Sequence, residues 1–106
     1  MTDLTVSVDI CLIPMGVGTS ISSYIAECQN VFKKYNLNTE LHAYGTNIEG
    51  NWDDVFNAIK DCHLICHKKG APRITSTIKC GTRIDKNQTL QDKIDSVLAR
   101  IDFQIL

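Results

Sequence analysis

The sequence predicts an α+β sandwich with elements in the order β-α-β-β-α-β-α. Three observations carry that prediction. Short segments alternate β-branched with polar residues, which is the mark of half-buried strands. Longer segments place apolar residues three and four apart, the spacing of one helix face. Turn and capping residues stand where the period changes. The chain has 106 residues, 43% apolar and 22% charged, which is ordinary for a globular protein and the length of one domain, residues 1–106.

Residues 5–13 form the first strand: Val6, Val8, Ile10 and Leu12 point one way, Ser7, Asp9 and Cys11 the other. Pro14 and Gly16-Val17-Gly18 are expected to end it. Thr19 or Ser20 is expected to cap the next helix, because a hydroxyl oxygen accepts from a free first-turn N–H. That helix carries Ile21, Ile25, Cys28, Phe32 and Tyr35 as its stripe, flanked by Tyr24 and Val31, and ends near Asn36. Residues 38–44 alternate again. Gly45-Thr46 permits a tight reversal, and residues 46–49 read as a short returning strand.

Gly50-Asn51 opens the second helix. Asp53 and Asp54 sit in its first turn, where negative charge suits the helix dipole, and Val55, Ile59, Cys62 and Cys66 make its stripe. Lys68-Lys69-Gly70 is a terminating signature: cations meet the last carbonyls and glycine takes a positive φ. Residues 73–83 form a long strand with Gly81 as an expected bulge. Asp85-Lys86-Asn87 is a turn, and Thr89-x-x-Asp92 resembles a capping box. Leu90, Ile94, Val97, Leu98 and Ile101 make a last amphipathic helix. The first six elements fit the split βαβ, ferredoxin-like arrangement, with an extra C-terminal helix. Two single-striped helices cover one face of the sheet. The other face, with Ser7, Asp9, Cys11, Thr75, Thr77 and Lys79, suits a wet pocket or a subunit interface.

Eleven basic residues face twelve acidic ones, a net charge of −1. That gives no footprint for nonspecific nucleic-acid binding. No apolar run approaches the ~20 residues of a membrane span, and the first residues do not read as a signal peptide. The five cysteines are odd in number and sit inside periodic segments, which fits reduced thiols in a cytoplasmic protein. So small a core favours self-association.

Four clusters bear chemistry. The run from Tyr44 to Asp54 packs hydroxyl, amide, carboxylate and indole into a hairpin end and a helix start. It reads either as a ligand site, with Trp52 as a flat wall beside a carboxylate, or as a polar hairpin whose tryptophan plugs the helix end. Alternation puts Thr46 and Glu49 on opposite sides unless the strand is bulged. The loop Pro14-Met15-Gly16-Val17-Gly18-Thr19-Ser20 lacks the third glycine of a dinucleotide fingerprint and the Gly-Lys-Ser/Thr of a P-loop, so an ordinary loop is the better reading. Cys62-His63-Leu64-Ile65-Cys66-His67 has metal-type residues, but four donors on one helix diverge and cannot close a tetrahedron; no metal is expected. Arg83 and Asp85 read as a carboxylate or phosphate grip or as a solvated surface pair. No nucleophile and base can be assembled with any specificity.

Linked motifs then resemble a known family. Tyr44-Gly45-Thr46-Asn47-Ile48-Glu49-Gly50 with Trp52-Asp53-Asp54-Val55, Gly81-Thr82-Arg83-x-Asp85-Lys86 with Gln88-Thr89 and Asp92-Lys93-Ile94, and Pro14-Met15-Gly16 with Ser20 and Ser22 look like the small thiamine-binding protein family over about residues 5–101. Asn51 stands where the family commonly has proline. The resemblance implies a ferredoxin-like monomer, pairing through sheets into a homotetramer that is a dimer of dimers. It implies binding of thiamine or its hydroxymethylpyrimidine moiety, with no catalysis and no required cofactor. On that footing Glu49 would bond the aminopyrimidine edge, Thr46 and Asn47 would complete the rim, Trp52 would form the wall, and Ser20 would join them. The thiazolium charge would favour an acidic pocket, and Arg83 and Asp85 would support assembly. The alternative is a regulatory or interaction module that binds another small metabolite at a subunit interface.

Overall fold

A computed structural model describes residues 3–101. The elements are β1 (Thr5–Met15), α1 (Ser22–Lys34), β2 (Asn38–His42), β3 (Gly45–Asn51), α2 (Trp52–Lys69), β4 (Arg73–Thr82) and α3 (Leu90–Leu98). The sheet order is β2-β3-β1-β4, and every neighbouring pair is antiparallel. Each βαβ unit is therefore split by a strand of the other, as the element order predicts.

The inward set of β1, Val6, Val8, Ile10 and Leu12, packs with Ile48 of β3 against Cys28, Val31 and Phe32 of α1 and Val55, Ile59, Cys62 and Cys66 of α2. The two helices are also tied directly, since the Tyr35 hydroxyl donates to Asp61. α2 begins where the sequence predicts. The Asn51 side chain accepts from the Asp53 N–H at 3.0 Å, so asparagine here caps the helix from outside. It ends on Gly70, whose φ is 130°, a conformation that side-chain-bearing residues rarely adopt. No helix among the described residues is long and apolar enough to cross a membrane.

Several boundaries differ from the sequence reading, each for a physical reason. β1 runs through Pro14 to Met15, in register with Ile74 and Arg73 of β4. Its pairing with β3 stops at Ile10, so past that point β1 is an edge, where proline is tolerated. Ile21, not Thr19 or Ser20, is the N-cap residue of α1, and it makes no side-chain cap bond; Ser20 falls one position too early to reach the first turn. The hairpin reverses at Ala43-Tyr44, with Gly45 already in β3. Gly45 is needed as glycine because a Cβ there would lie 2.4 Å from the Ile10 carbonyl oxygen. Gly81 is not a bulge, as the register with β1 is continuous from Val6↔Thr82 to Met15↔Arg73. α3 has its capping box but buries nothing: Ile94, Val97 and Leu98 are exposed.

Candidate functional site

A cavity of about 700 Å³ opens where the start of β1, the end of β4, residues Glu49 and Gly50 of β3, and the segment 83–93 meet. That volume lies within the range of small-molecule sites, about 300–1,000 Å³. Among the described residues its only lining carboxylate is Glu49. Glu49 faces this side because the β1–β3 and β2–β3 registers are unbroken, so odd-numbered β3 residues lie opposite the helix-covered set.

Both oxygens of Glu49 are oriented by the protein. Oε1 accepts from the Asn38 amide across the β2–β3 pair, and Oε2 accepts from the Leu90 backbone N–H at 3.0 Å. The second bond joins the sheet to the first turn of α3, where a negative charge is favourable. Arg83 braces the loop before α3: its Nε and Nη2 donate to the two Asp85 oxygens at 2.6 and 2.9 Å, and Nη1 donates to Gln88 Oε1 at 2.6 Å. That bidentate pair holds the Asp85 carboxyl below its ordinary range and the Arg83 guanidinium above its own. The capping box continues the brace, with the Thr89 N–H donating to Asp92 Oδ2 and the Asp92 N–H to Thr89 Oγ1. Lys86 and Lys93 line the same cavity and make no ion pair among the described residues. The lining thus carries Arg83, Lys86 and Lys93 against Glu49, so this cavity is not the acidic pocket that the resemblance implies.

Of the five residues singled out in the sequence, the structure brings Glu49 alone to this cavity. Thr46 is buried on the helix-covered side, where its Oγ1 accepts from Gln29 Nε2 at 3.0 Å. It borders a separate apolar cavity of about 240 Å³ between α1 and the β2–β3 hairpin. Asn47 pairs with Asp9 and Glu40 in the sheet registers and does not line the large cavity. Trp52 packs on Phe56, ring centroids 4.5 Å apart, beside a shallow cleft bounded by Leu4 and Asp53. Ser20 is exposed in the loop before α1. Asn38, Gln88, Lys86 and Lys93 are the lining residues that sequence reasoning did not place. The Gly81-to-Ile94 motif was the signal for Lys86, Gln88 and Lys93, but nothing local ties it to Glu49 or to Asn38.

Elsewhere the polar groups have structural partners. His42 lies on the open sheet face: its Nδ1 accepts from the Tyr44 N–H and its Nε2 donates to Asp9 Oδ1 at 2.8 Å. Cys28 and Cys66 meet between the helices with sulfurs 3.8 Å apart. Burial pushes the Cys66 thiol up to about 12. A bond with Cys62, together with burial, pushes Cys28 up as well. Both are protonated thiols in a core, not nucleophiles. His63 meets Ser76 Oγ and His67 meets the Ala71 carbonyl, so the donors between Cys62 and His67 do diverge.

The family model described as thiamine-binding protein matches residues 8–98. A UPF0045 protein of Synechocystis is 52% identical over 94 residues, 89% of this chain and 78% of its own length. A UPF0045 protein of Eremothecium gossypii is 40% identical over 98 residues, 92% of this chain and 93% of its own. Among solved structures, a Methanocaldococcus jannaschii protein superimposes with a TM-score of 0.81 at 34% identity, covering 88% of this chain and 95% of that one. A candidate thiamine biosynthesis/salvage protein of Thermotoga maritima superimposes with a TM-score of 0.73 over 88% of this chain and 98% of its own; at 15% identity that likeness shows the fold alone.

Proposed function

The chain belongs to the thiamine-binding protein family, and from that premise we propose that it binds thiamine or its hydroxymethylpyrimidine moiety at the Glu49 cavity, without a catalytic step and without a cofactor. The observation that carries this reading is Glu49 itself. Each carboxylate oxygen has two lone pairs, and each has spent one inside the protein. The carboxylate is therefore fixed in direction while keeping one acceptor position on each oxygen. An aminopyrimidine presents a protonatable ring nitrogen beside an exocyclic amine, two adjacent donors that match two adjacent acceptors. Such a pair of charge-assisted bonds is directional and strong for its size.

Calorimetry with thiamine and with hydroxymethylpyrimidine tests the proposal. Saturable one-site binding is expected, and silence from both at millimolar concentration would end it. Glu49→Gln keeps the shape but replaces one acceptor with a donor and removes the charge. Affinity is expected to fall ten- to a hundredfold, about 1.5–3 kcal/mol. Circular dichroism is expected to be unchanged, because Glu49 lies outside the apolar core.

The same reading places the protein in the cytoplasm as a homotetramer. Its support is apolar surface that one protomer leaves uncovered: Ile13 and Met15 on the open sheet face and Ile94, Val97 and Leu98 on α3. Light scattering at micromolar concentration is expected to give four times the protomer mass; a monomer would refute the assembly and leave the ligand reading standing.

A further inference from the structure

We infer that the preferred ligand of this cavity is a phosphate ester, an aminopyrimidine or thiamine phosphomonoester, with Lys86 and Lys93 taking the phosphate. The inference rests on the proposed binding of the pyrimidine at Glu49 and adds the identity of the other end of the ligand. The charges that line the cavity do not balance. Arg83 is committed, since three of its donors are spent on Asp85 and Gln88, and Asp85 neutralises it. Among the described residues that line the cavity, Glu49 is the one remaining negative group, and Lys86 and Lys93 are the two remaining positive ones. The free charge facing the cavity is thus net positive. A thiazolium cation alone would add to that excess. Hydroxymethylpyrimidine, which brings no anion, would leave it unmatched.

A phosphomonoester supplies the missing anion. Its second ionisation lies near neutrality, so it carries about −1.5 to −2 charges. Two lysines match that as mobile point charges with three donors each. Two first-turn N–H groups of α3 are already committed, that of Leu90 to Glu49 and that of Asp92 to Thr89, which leaves the two lysines as the charged donors. Room is not limiting: about 700 Å³ holds a drug-sized molecule. The site so read has two poles, a carboxylate that recognises the ring and a lysine pair that recognises the ester.

The test is calorimetry on the intact wild-type protein with five titrants: hydroxymethylpyrimidine, its monophosphate, thiamine, thiamine monophosphate and inorganic phosphate. Each ester is expected to bind at least tenfold tighter than its parent alcohol, with the excess shrinking as salt is raised from 50 to 300 mM. In the Lys86→Gln/Lys93→Gln double variant the ester-to-parent ratio is expected to fall to about one. Both lysines are exposed, and the variant's circular dichroism is expected to match that of the wild type. Parents and esters binding equally, or a double variant that keeps the ester preference, would overturn this inference while the pyrimidine reading survives. Inorganic phosphate binding as tightly as the esters would also overturn it, by leaving the ring without a role. Silence from all five would refute both readings.

Discussion

The two faces of the sheet are made from the same strands, one residue out of phase, yet they have opposite chemistry. On the helix-covered face, Val6 and Ile48 are fully enclosed beneath Val55 and Cys62 of α2, and even Thr46, the one buried polar side chain among the described residues, has a partner in Gln29. On the open face, polar side chains meet each other in exposed or half-exposed pairs: Asp9 with His42, Asn38 with Glu49, Ser7 with the Gly81 carbonyl. The covered face spends its residues on cohesion. The open face and the segment beyond β4 keep acceptors and cations at the surface, and there the candidate cavity forms. The difference teaches that in this fold a functional residue is recognised by its parity along a strand before its chemical type. Thr46 and Glu49 are three apart in sequence and belong to different compartments.

Substitutions at neighbouring β3 positions test that division most severely. Ile48→Ala, at a site with 0% exposure, is expected to cost about 2–5 kcal/mol in urea unfolding, through lost transfer energy and a residual cavity. Asn47→Ala, one residue away on the open face, is expected to stay within about 0.5 kcal/mol. Similar costs at both would show that the open face is covered by something as tightly packed as the helices. Thr89→Ala sharpens the comparison at the far end of the open side. It removes the capping-box oxygen and is expected to cost α3 about 1 kcal/mol. Because α3 buries no residue in the body, the loss is expected in faster amide exchange within 90–98 and not in the global midpoint. A drop in the global midpoint would mean that α3 is part of the cooperative unit.

The smallest expected effect belongs to the covered side. Partial burial on the side of α2 that meets Ser76 of β4, with His67 nearby, holds His63 below its ordinary value. The unfolded chain then takes up the proton first, near pH 6.5. The contribution of neutral His63 is present above that pH and is lost as pH falls through the folded value. The urea midpoint is expected to decline between pH 7 and 5 by more in the wild type than in His63→Gln. Equal declines would assign the pH dependence to other groups.

Much of the fold was legible because its signals are local. The alternation of β1, the Asn51 and Gly70 ends of α2 and the Thr89-x-x-Asp92 box each lie within a few residues and depend on no partner. The errors at Pro14 and Gly81 share one cause, dependence on a distant strand. Pro14 reads as a terminator until β1 is seen to lose β3 on one side and keep β4 on the other. Gly81 reads as a bulge until Ser7 is seen opposite it in register. The site was legible in part. Parity separated Thr46 from Glu49 in advance, but the bond from Leu90 to Glu49 spans 41 residues, and no local pattern brings Lys86 and Lys93 to that carboxylate.

Pro14 has one further consequence, and it concerns what the protein avoids. Between Cys11 and Met15, β1 pairs with β4 alone, and its other side is a bare row of backbone donors and acceptors. Such a row is a template on which a strand from another molecule can add and begin aggregation. A proline is tolerated in a ladder where its nitrogen faces away from the partner strand, which puts the missing donor on the bare side. An incoming strand would find a rung absent in the middle of a short edge. The residue that looks in the sequence like the end of a strand works in the folded molecule as a guard against runaway strand addition.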